Sequence, residues 1–162
     1  MRLVLASCAL ALAACARGTP PPADAHTTAA ADTLRGRLEV VGSEPGTSVV
    51  LLDGRGGGVT LEGERALLLP LSGLEVMVRG RPDGPRTFHV ERFAVRAADG
   101  VPAVDGVLAR EGGRDVLVLE DGRRVPLAYT PEALRGMHGA RVWLAGPLDR
   151  APDSFGVIRA AP

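Results

Sequence analysis

Gly139-Ala140-Arg141-Val142-Trp143-Leu144-Ala145-Gly146 reads against Gly73-Leu74-Glu75-Val76-Met77-Val78-Arg79-Gly80 as one segment written twice, 66 residues apart. Each copy alternates with period two between a pair of glycines, the pattern of a half-buried β-strand. Further matches keep the same order on either side. Gly106-Val107-Leu108 answers Gly36-Arg37-Leu38, Val116 to Gly122 answers Ser48 to Gly54, and Phe155-Gly156-Val157 answers Phe88-His89-Val90. The offset is 70 residues at Gly36/Gly106, 68 at Asp53/Asp121, 66 at Gly80/Gly146 and 67 at Phe88/Phe155, a drift that small loop differences account for. The chain is expected to hold a duplicated unit.

In the first unit the strand candidates are Leu38 to Val41, Ser48 to Leu52 before the Asp53-Gly54 turn signal, Val59 to Glu62, Leu74 to Gly80, and Phe88 to Phe93. Glu64 to Leu69 has room for one or two helical turns, which Pro70 should stop. In the second unit Val125 to Tyr129 takes the third-strand place. Thr130-Pro131-Glu132 there supplies a cap, a first-turn proline and a first-turn acid for a short helix. Each unit then runs strand, strand, strand, short helix, strand, strand.

That order resembles the OB-fold, a five-stranded closed barrel. Over residues 35–160 the chain resembles small exported bacterial proteins of OB-like type. The resemblance rests on a Gly opening strand one, Asp-Gly between strands two and three, and Gly-x-x-V-x-[VL]-x-Gly at strand four. It implies an all-β chain of two tandem small five-stranded OB-like barrels, each with one short helix, over residues 35–99 and 104–160. SH3-like barrels or one shared sandwich fit the same strand order. A unit of about 60 residues is near the lower limit for folding alone. The two barrels are therefore expected to pack together, with Val101 to Val104 as a short ordered connector.

Upstream, Met1-Arg2 gives a positive start and Leu3 to Ala14 is almost unbroken apolar sequence. That run is too short to span a bilayer, which takes about 20 residues, and has the length of a signal-peptide core. Leu12-Ala13-Ala14-Cys15 resembles the lipobox of bacterial lipoproteins. The resemblance implies that residues 1–14 are a removable signal peptide, and that Cys15 carries a diacyl group on its thiol and a further acyl chain on its new N-terminus. More than one acyl chain is what stable anchoring needs. Leu5-Ala6-Ser7-Cys8 fits the same pattern but has only a few apolar residues before it, so it ranks below Cys15. An ordinary secreted protein with an incidental Cys is the competing reading. By the same resemblance, Ala16 rather than an aspartate after the Cys implies the outer membrane, facing the periplasm. Residues 15–34 read as the lipidated Cys and a flexible linker, extended at Thr19-Pro20-Pro21-Pro22 and unpatterned through Ala25 to Ala31. Such a linker spans roughly 25 Å, and His26 is a solvated residue within it.

With Cys8 removed and Cys15 acylated, the folded part has no thiol for a disulfide or a thiolate metal site. The chain's 19 basic and 19 acidic residues balance, so the footprint of nucleic-acid or anionic-membrane binding is missing. All 19 basic residues are Arg, with no Lys, Asn or Gln and a single Ile, which points to a GC-rich genome more than to phosphate recognition. Strands two and three, the usual base-stacking surface of an OB-fold, offer only aliphatic residues and Thr60 in the first unit and add Tyr129 in the second. No nucleic-acid partner is expected.

Catalytic constellations are equally thin. His89 lies between Phe88 and Val90 on a strand and should face solvent, with Gly156 as its counterpart; His138 precedes Gly139, with Ser72 as its counterpart. Glu62 with Glu64 and Glu120 with Asp121 read as solvated pairs or a weak divalent cation site at most. Gly54-Arg55-Gly56-Gly57-Gly58 lacks the lysine and the following helix of a phosphate loop and reads as a long hairpin loop. Tyr129 and Trp143 are the candidate ligand-binding residues, Trp143 matching Met77 and so suited to packing between the barrels. The expectation is a membrane-anchored envelope lipoprotein, not an enzyme, without cofactor or metal, that binds an envelope protein or a small ligand. The competing expectations are a metal- or ligand-dependent envelope enzyme using His89 and His138, and a passive structural spacer.

Overall fold

A computed structural model describes residues 31–43 and 46–162. The signal peptide, Cys15, His26 and all but the end of the linker lie outside the described residues. Ten strands follow in order: β1 (Asp32–Val41), β2 (Ser48–Leu52), β3 (Gly58–Glu62), β4 (Leu74–Pro82), β5 (Thr87–Ala98), β6 (Val101–Glu111), β7 (Arg114–Val118), β8 (Arg124–Pro126), β9 (Arg141–Ala145) and β10 (Ser154–Arg159). One helix, α1 (Arg65–Leu68), runs into a 3-10 turn over Leu69–Leu71, and a second 3-10 turn covers Glu132–Leu134. Pro70 does not end the helical stretch; it sits in the first positions of the 3-10 turn, where its missing N–H costs nothing. The chain is all-β in character, and its sheet is mostly antiparallel.

The first five strands form a ring. β1 pairs antiparallel with β2 and β4, β2 with β3, and β4 with β5. β5 then returns parallel to β3 at Thr60↔Thr87, Leu61↔Phe88 and Glu62↔His89. The last five strands repeat the antiparallel part: β6 pairs with β7 and β9, β7 with β8, and β9 with β10. No β8–β10 pairing completes the ring among the described residues. The first unit is thus a closed ring, whereas the second is open between β8 and β10 among the described residues.

Strand length explains the difference. The registers Val78↔Phe93 and Leu144↔Phe155 put Phe155 in the place of Phe93, not of Phe88. The twelve-residue β5 therefore has a leading stretch, Thr87 to Glu91, that the six-residue β10 lacks. That stretch is the one that reaches β3. In the second unit a loop takes its place, and Ala128 N–H donates to the Leu148 carbonyl at 3.2 Å while Leu148 packs on the core. The same register makes Gly156 the counterpart of Ala94, so it is not the counterpart of His89. Likewise Arg37↔Leu52 and Val107↔Val118 align Leu52 with Val118, which places Asp121 two residues further along its hairpin than Asp53.

Other matches do share a register position. Met77 and Trp143 stand opposite Arg35 and Asp105 in equivalent pairings. Gly36 and Gly106 stand opposite Val76 and Val142. Both are glycine for the same steric reason. A Cβ on Gly36 would lie 2.1 Å from the Leu52 carbonyl oxygen, and one on Gly106 would lie 2.5 Å from that of Val118. The carbonyls of Leu38 and Leu108 then each accept a hydrogen bond from a glycine N–H, Gly73 at 2.7 Å and Gly139 at 2.8 Å.

The units join more tightly than a connector would allow. Asp99 and Gly100, at φ of 48° and 79°, make a two-residue turn of the kind that suits a right-twisted hairpin. Across it Ala98 pairs with Val101 and Ala97 with Pro102, so Val101 to Val104 begin β6 and are not a connector. At the other end Asp32 to Leu34 extend β1 beyond the tether boundary and pair with β4 as far as Gly80. The first core, around Leu38, Val76, Val78 and Phe88, also takes in Ala103, Ala145 and Ile158 from the second unit. Ile158 is the residue skipped in the β10 register between Val157 and Arg159, and the bulge turns it inward to 3% exposure. The second core is smaller, built on Leu108, Leu117, Leu134, Val142 and Leu144.

Gly36→Ala and Gly106→Ala should each lower stability by about 1–3 kcal/mol, the usual cost of forcing extra volume into a packed site. Urea unfolding measures it, and a loss below about 0.5 kcal/mol at both positions would contradict the close approach.

Candidate ligand cleft between the units

β5 and β6 pair only beside their turn, at two residue positions. Beyond it they separate, and a backbone amide and a carbonyl of β5 lose a neighbouring strand. Side chains of the second unit replace it. Val95 N–H donates to Asp105 Oδ1 at 2.7 Å. Arg141 donates to Asp105 Oδ2 through Nε at 2.8 Å and through its terminal nitrogen at 2.5 Å, and that terminal nitrogen also donates to the Phe93 carbonyl at 2.9 Å. The guanidinium lies 4.0 Å from the centroid of the Phe93 ring. Only 5% of the Asp105 side chain and 20% of the Arg141 side chain is exposed. A buried ion pair of this sort is tolerable because both Asp105 oxygens accept hydrogen bonds and the guanidinium also serves the Phe93 carbonyl. No buried side-chain nitrogen or oxygen among the described residues lacks a partner.

Above this joint the two units leave an open cleft of about 370 Å³. Its apolar surface comes from Met77 and Ala94 on β4 and β5, Val104 on β6, and Leu119 just after β7. Its rim is arginine. Arg79 pairs in register with Arg92 across β4 and β5, while Arg96 is the residue skipped in the β5 register between Val95 and Ala97. Arg123 faces them from the turn between β7 and β8. Glu120 reaches Arg92 at 3.8 Å across the units, an exposed pair worth little. Arg123 is taken by Asp121, to which its Nε donates at 2.6 Å; that hydrogen bond and the Arg123 backbone N–H hold the Asp121 carboxyl below its ordinary pKa. Arg79 and Arg96 form no ion pair with another described residue.

The residues singled out by sequence are scattered. Cys15 is outside the described residues. Tyr129 lies beyond the end of β8, 44% exposed, on a cavity of about 390 Å³ with Arg110, Arg114 and Arg135. Trp143 is half-buried, lies over Gly156 and packs against the first core. His89 is partly exposed between the buried Phe88 and Val90, opposite Glu62 on β3 and Arg81 on β4. It shares a surface cavity with Glu64 and Arg65. His138 belongs to the other unit, and it is not simply solvated: its Nε2 is 3.1 Å from Asp115 Oδ1. The Thr130 hydroxyl, followed by His138, holds the Asp115 carboxyl below the usual range. Thr130 gives no side-chain cap to the 3-10 turn, whose cap position is Pro131. The structure does not bring His89 and His138 together, and no cluster of three or more metal-ligating side chains occurs among the described residues.

In the Gly54 to Gly58 loop, Asp53 Oδ1 accepts from the N–H groups of Arg55 at 2.8 Å and Gly57 at 3.0 Å, which lowers the Asp53 pKa. This is a hairpin loop tied to its own first residue, followed by β3.

Sequence reasoning missed the joint and the cleft. Asp105 carried a usable signal, as an acid on the buried phase of an otherwise apolar run, Val101 to Leu108. Arg92 and Arg96 around Ala94 carried a period-two signal that the uniform use of arginine concealed. No protein-family model matches the chain, and neither the curated proteins nor the solved structures contain a match.

Asp105→Ala should cost about 3–5 kcal/mol, because it leaves the largely buried Arg141 charge without its carboxylate and the Val95 amide without an acceptor. The paired change Asp105→Leu with Arg141→Met should recover only part of that loss, because it removes the buried charges but leaves the Val95 amide and the Phe93 carbonyl unpaired. Urea unfolding of the three proteins tests it, and a single mutant as stable as the parent would remove the joint from the account.

Proposed function

We propose that this protein is a membrane-tethered, non-catalytic binding module of the cell envelope, made of two OB-like units. The observation that carries the binding reading is the cleft between the units, with an apolar floor and two arginines that have no ionic partner among the described residues. The OB-like reading draws on the ring order β1-β2-β3-β5-β4, on the helix between β3 and β4, and on the recurrence of the same antiparallel order in the second unit. The tether draws on Leu12-Ala13-Ala14-Cys15 and the apolar run before it. In this reading Cys15 carries the lipid, the folded part stands clear of the headgroups on the linker, and the outer membrane is the site of anchoring. Tyr129 is an exposed secondary contact, and Trp143 serves packing.

Cys15→Ser should abolish incorporation of labelled palmitate and release the protein from the membrane fraction, whereas Cys8→Ser should change neither. Retained label in Cys15→Ser would overturn the anchor. An affinity pull-down of the C-terminally tagged protein from solubilised envelopes, beside the Cys15→Ser form, then identifies what the anchored module holds.

A further inference from the structure

We infer that the cleft between the units is a site for a small amphiphilic anion: an apolar body bearing a carboxylate or a phosphate. The inference rests on the binding-module reading and names the ligand class of that site; it does not depend on the anchor.

Three observations converge on this class. The first is shape. At about 370 Å³ the cleft falls at the lower end of small-molecule sites, which run from about 300 to 1,000 Å³. The second is composition. Met77, Ala94, Val104 and Leu119 give an apolar floor without a hydrogen-bonding side chain, suited to a hydrocarbon body. The third is charge. Arg79, Arg92 and Arg96 line one rim; of the three acids in the same lining, Asp105 is paired with Arg141, Asp121 with Arg123, and Glu120 meets Arg92 only at 3.8 Å. Arg79 and Arg92 stand directly opposite one another across β4 and β5, where like charges repel, and Arg96 adds a third positive charge further along β5. An oxyanion between them relieves that repulsion and accepts bidentate hydrogen bonds, for which guanidinium geometry is suited. The fourth arginine, Arg123, is already neutralised by Asp121.

The floor is also held in place. Phe93, Val95 and Asp105 line its deep side, and all three belong to the buried joint with Arg141. A ligand would thus meet a preformed surface rather than two units free to part. The cavity at Tyr129 is the weaker candidate. Its Arg110 donates to the Gly113 carbonyl at 3.2 Å, and its Asp115 would oppose an anion.

The test uses the purified full-length chain carrying Cys15→Ser, so that no acyl group of its own competes. The probe is 8-anilinonaphthalene-1-sulfonate, an aromatic anion whose fluorescence rises on apolar burial. The expected result is saturable binding displaced by decanoate and by decyl phosphate at concentrations at least tenfold below those needed with decyltrimethylammonium, which has the same chain and the opposite charge. Whichever of decanoate and decyl phosphate displaces better identifies the headgroup, and both orders support the site. Arg79→Gln with Arg96→Gln should weaken probe binding at least tenfold without lowering the thermal midpoint, because neither side chain has an ionic partner to lose. Met77→Glu should do the same from the floor. Arg114→Gln with Arg135→Gln, at the Tyr129 cavity, should leave binding within twofold. The inference is overturned by absence of saturable binding, by equal displacement by the cationic amphiphile, or by cleft variants within twofold of the parent. A captured envelope partner whose retention ignores these arginines would overturn this inference while leaving the binding-module reading standing.

Discussion

An ion pair does the work of a missing strand in this molecule. Where β5 leaves β6, its backbone exposes an amide at Val95 and a carbonyl at Phe93, and Asp105 and Arg141 take one each. An unpaired amide or carbonyl inside a protein costs roughly 1–3 kcal/mol, so this junction could not be dry without them. Because Asp105 sits on β6 and Arg141 on β9, satisfying β5 fixes the second unit's orientation on the first. The cleft above inherits its shape from that orientation.

The second unit needs this support. Its ring is open, since β10 lacks the leading residues with which β5 reaches β3. A single hydrogen bond from Ala128 to Leu148 spans the gap that a parallel ladder closes in the first unit. Its core is also the smaller one, and the bulge in β10 sends Ile158 into the neighbour's core. The first unit completes itself and the second completes itself against the first. Packing of this kind suits a small domain near the lower size limit for independent folding.

Much of the strand layout was legible because period-two alternation and glycine punctuation survive in a biased composition. Ser48 to Leu52 matches β2 residue for residue, and the glycines at 36 and 106 are forced by the approach of neighbouring carbonyls. The failures share a physical cause. Residue type aligns Phe155 with Phe88, whereas ladder register, which depends on strand length and bulges, aligns it with Phe93. Closure of a ring depends on contacts between distant strands, and local pattern carries no record of them. Thr130-Pro131-Glu132 fits a helix cap by residue type, yet the 3-10 turn has Pro131 at its cap position and no side-chain cap hydrogen bond. The cleft is hidden in the sequence because arginine is the chain's only strongly basic side chain, so its presence at a rim cannot be told from its presence elsewhere.

The most direct measurement of the joint is native-state hydrogen exchange at the Val95 amide. An amide held by a buried carboxylate across the units should exchange as slowly as the central amides of β4 and β9, with the same dependence on urea. Exchange at the rate of an open edge strand, with β4 and β9 still protected, would show that Asp105 does not stand in for a strand and that the two units are not locked together.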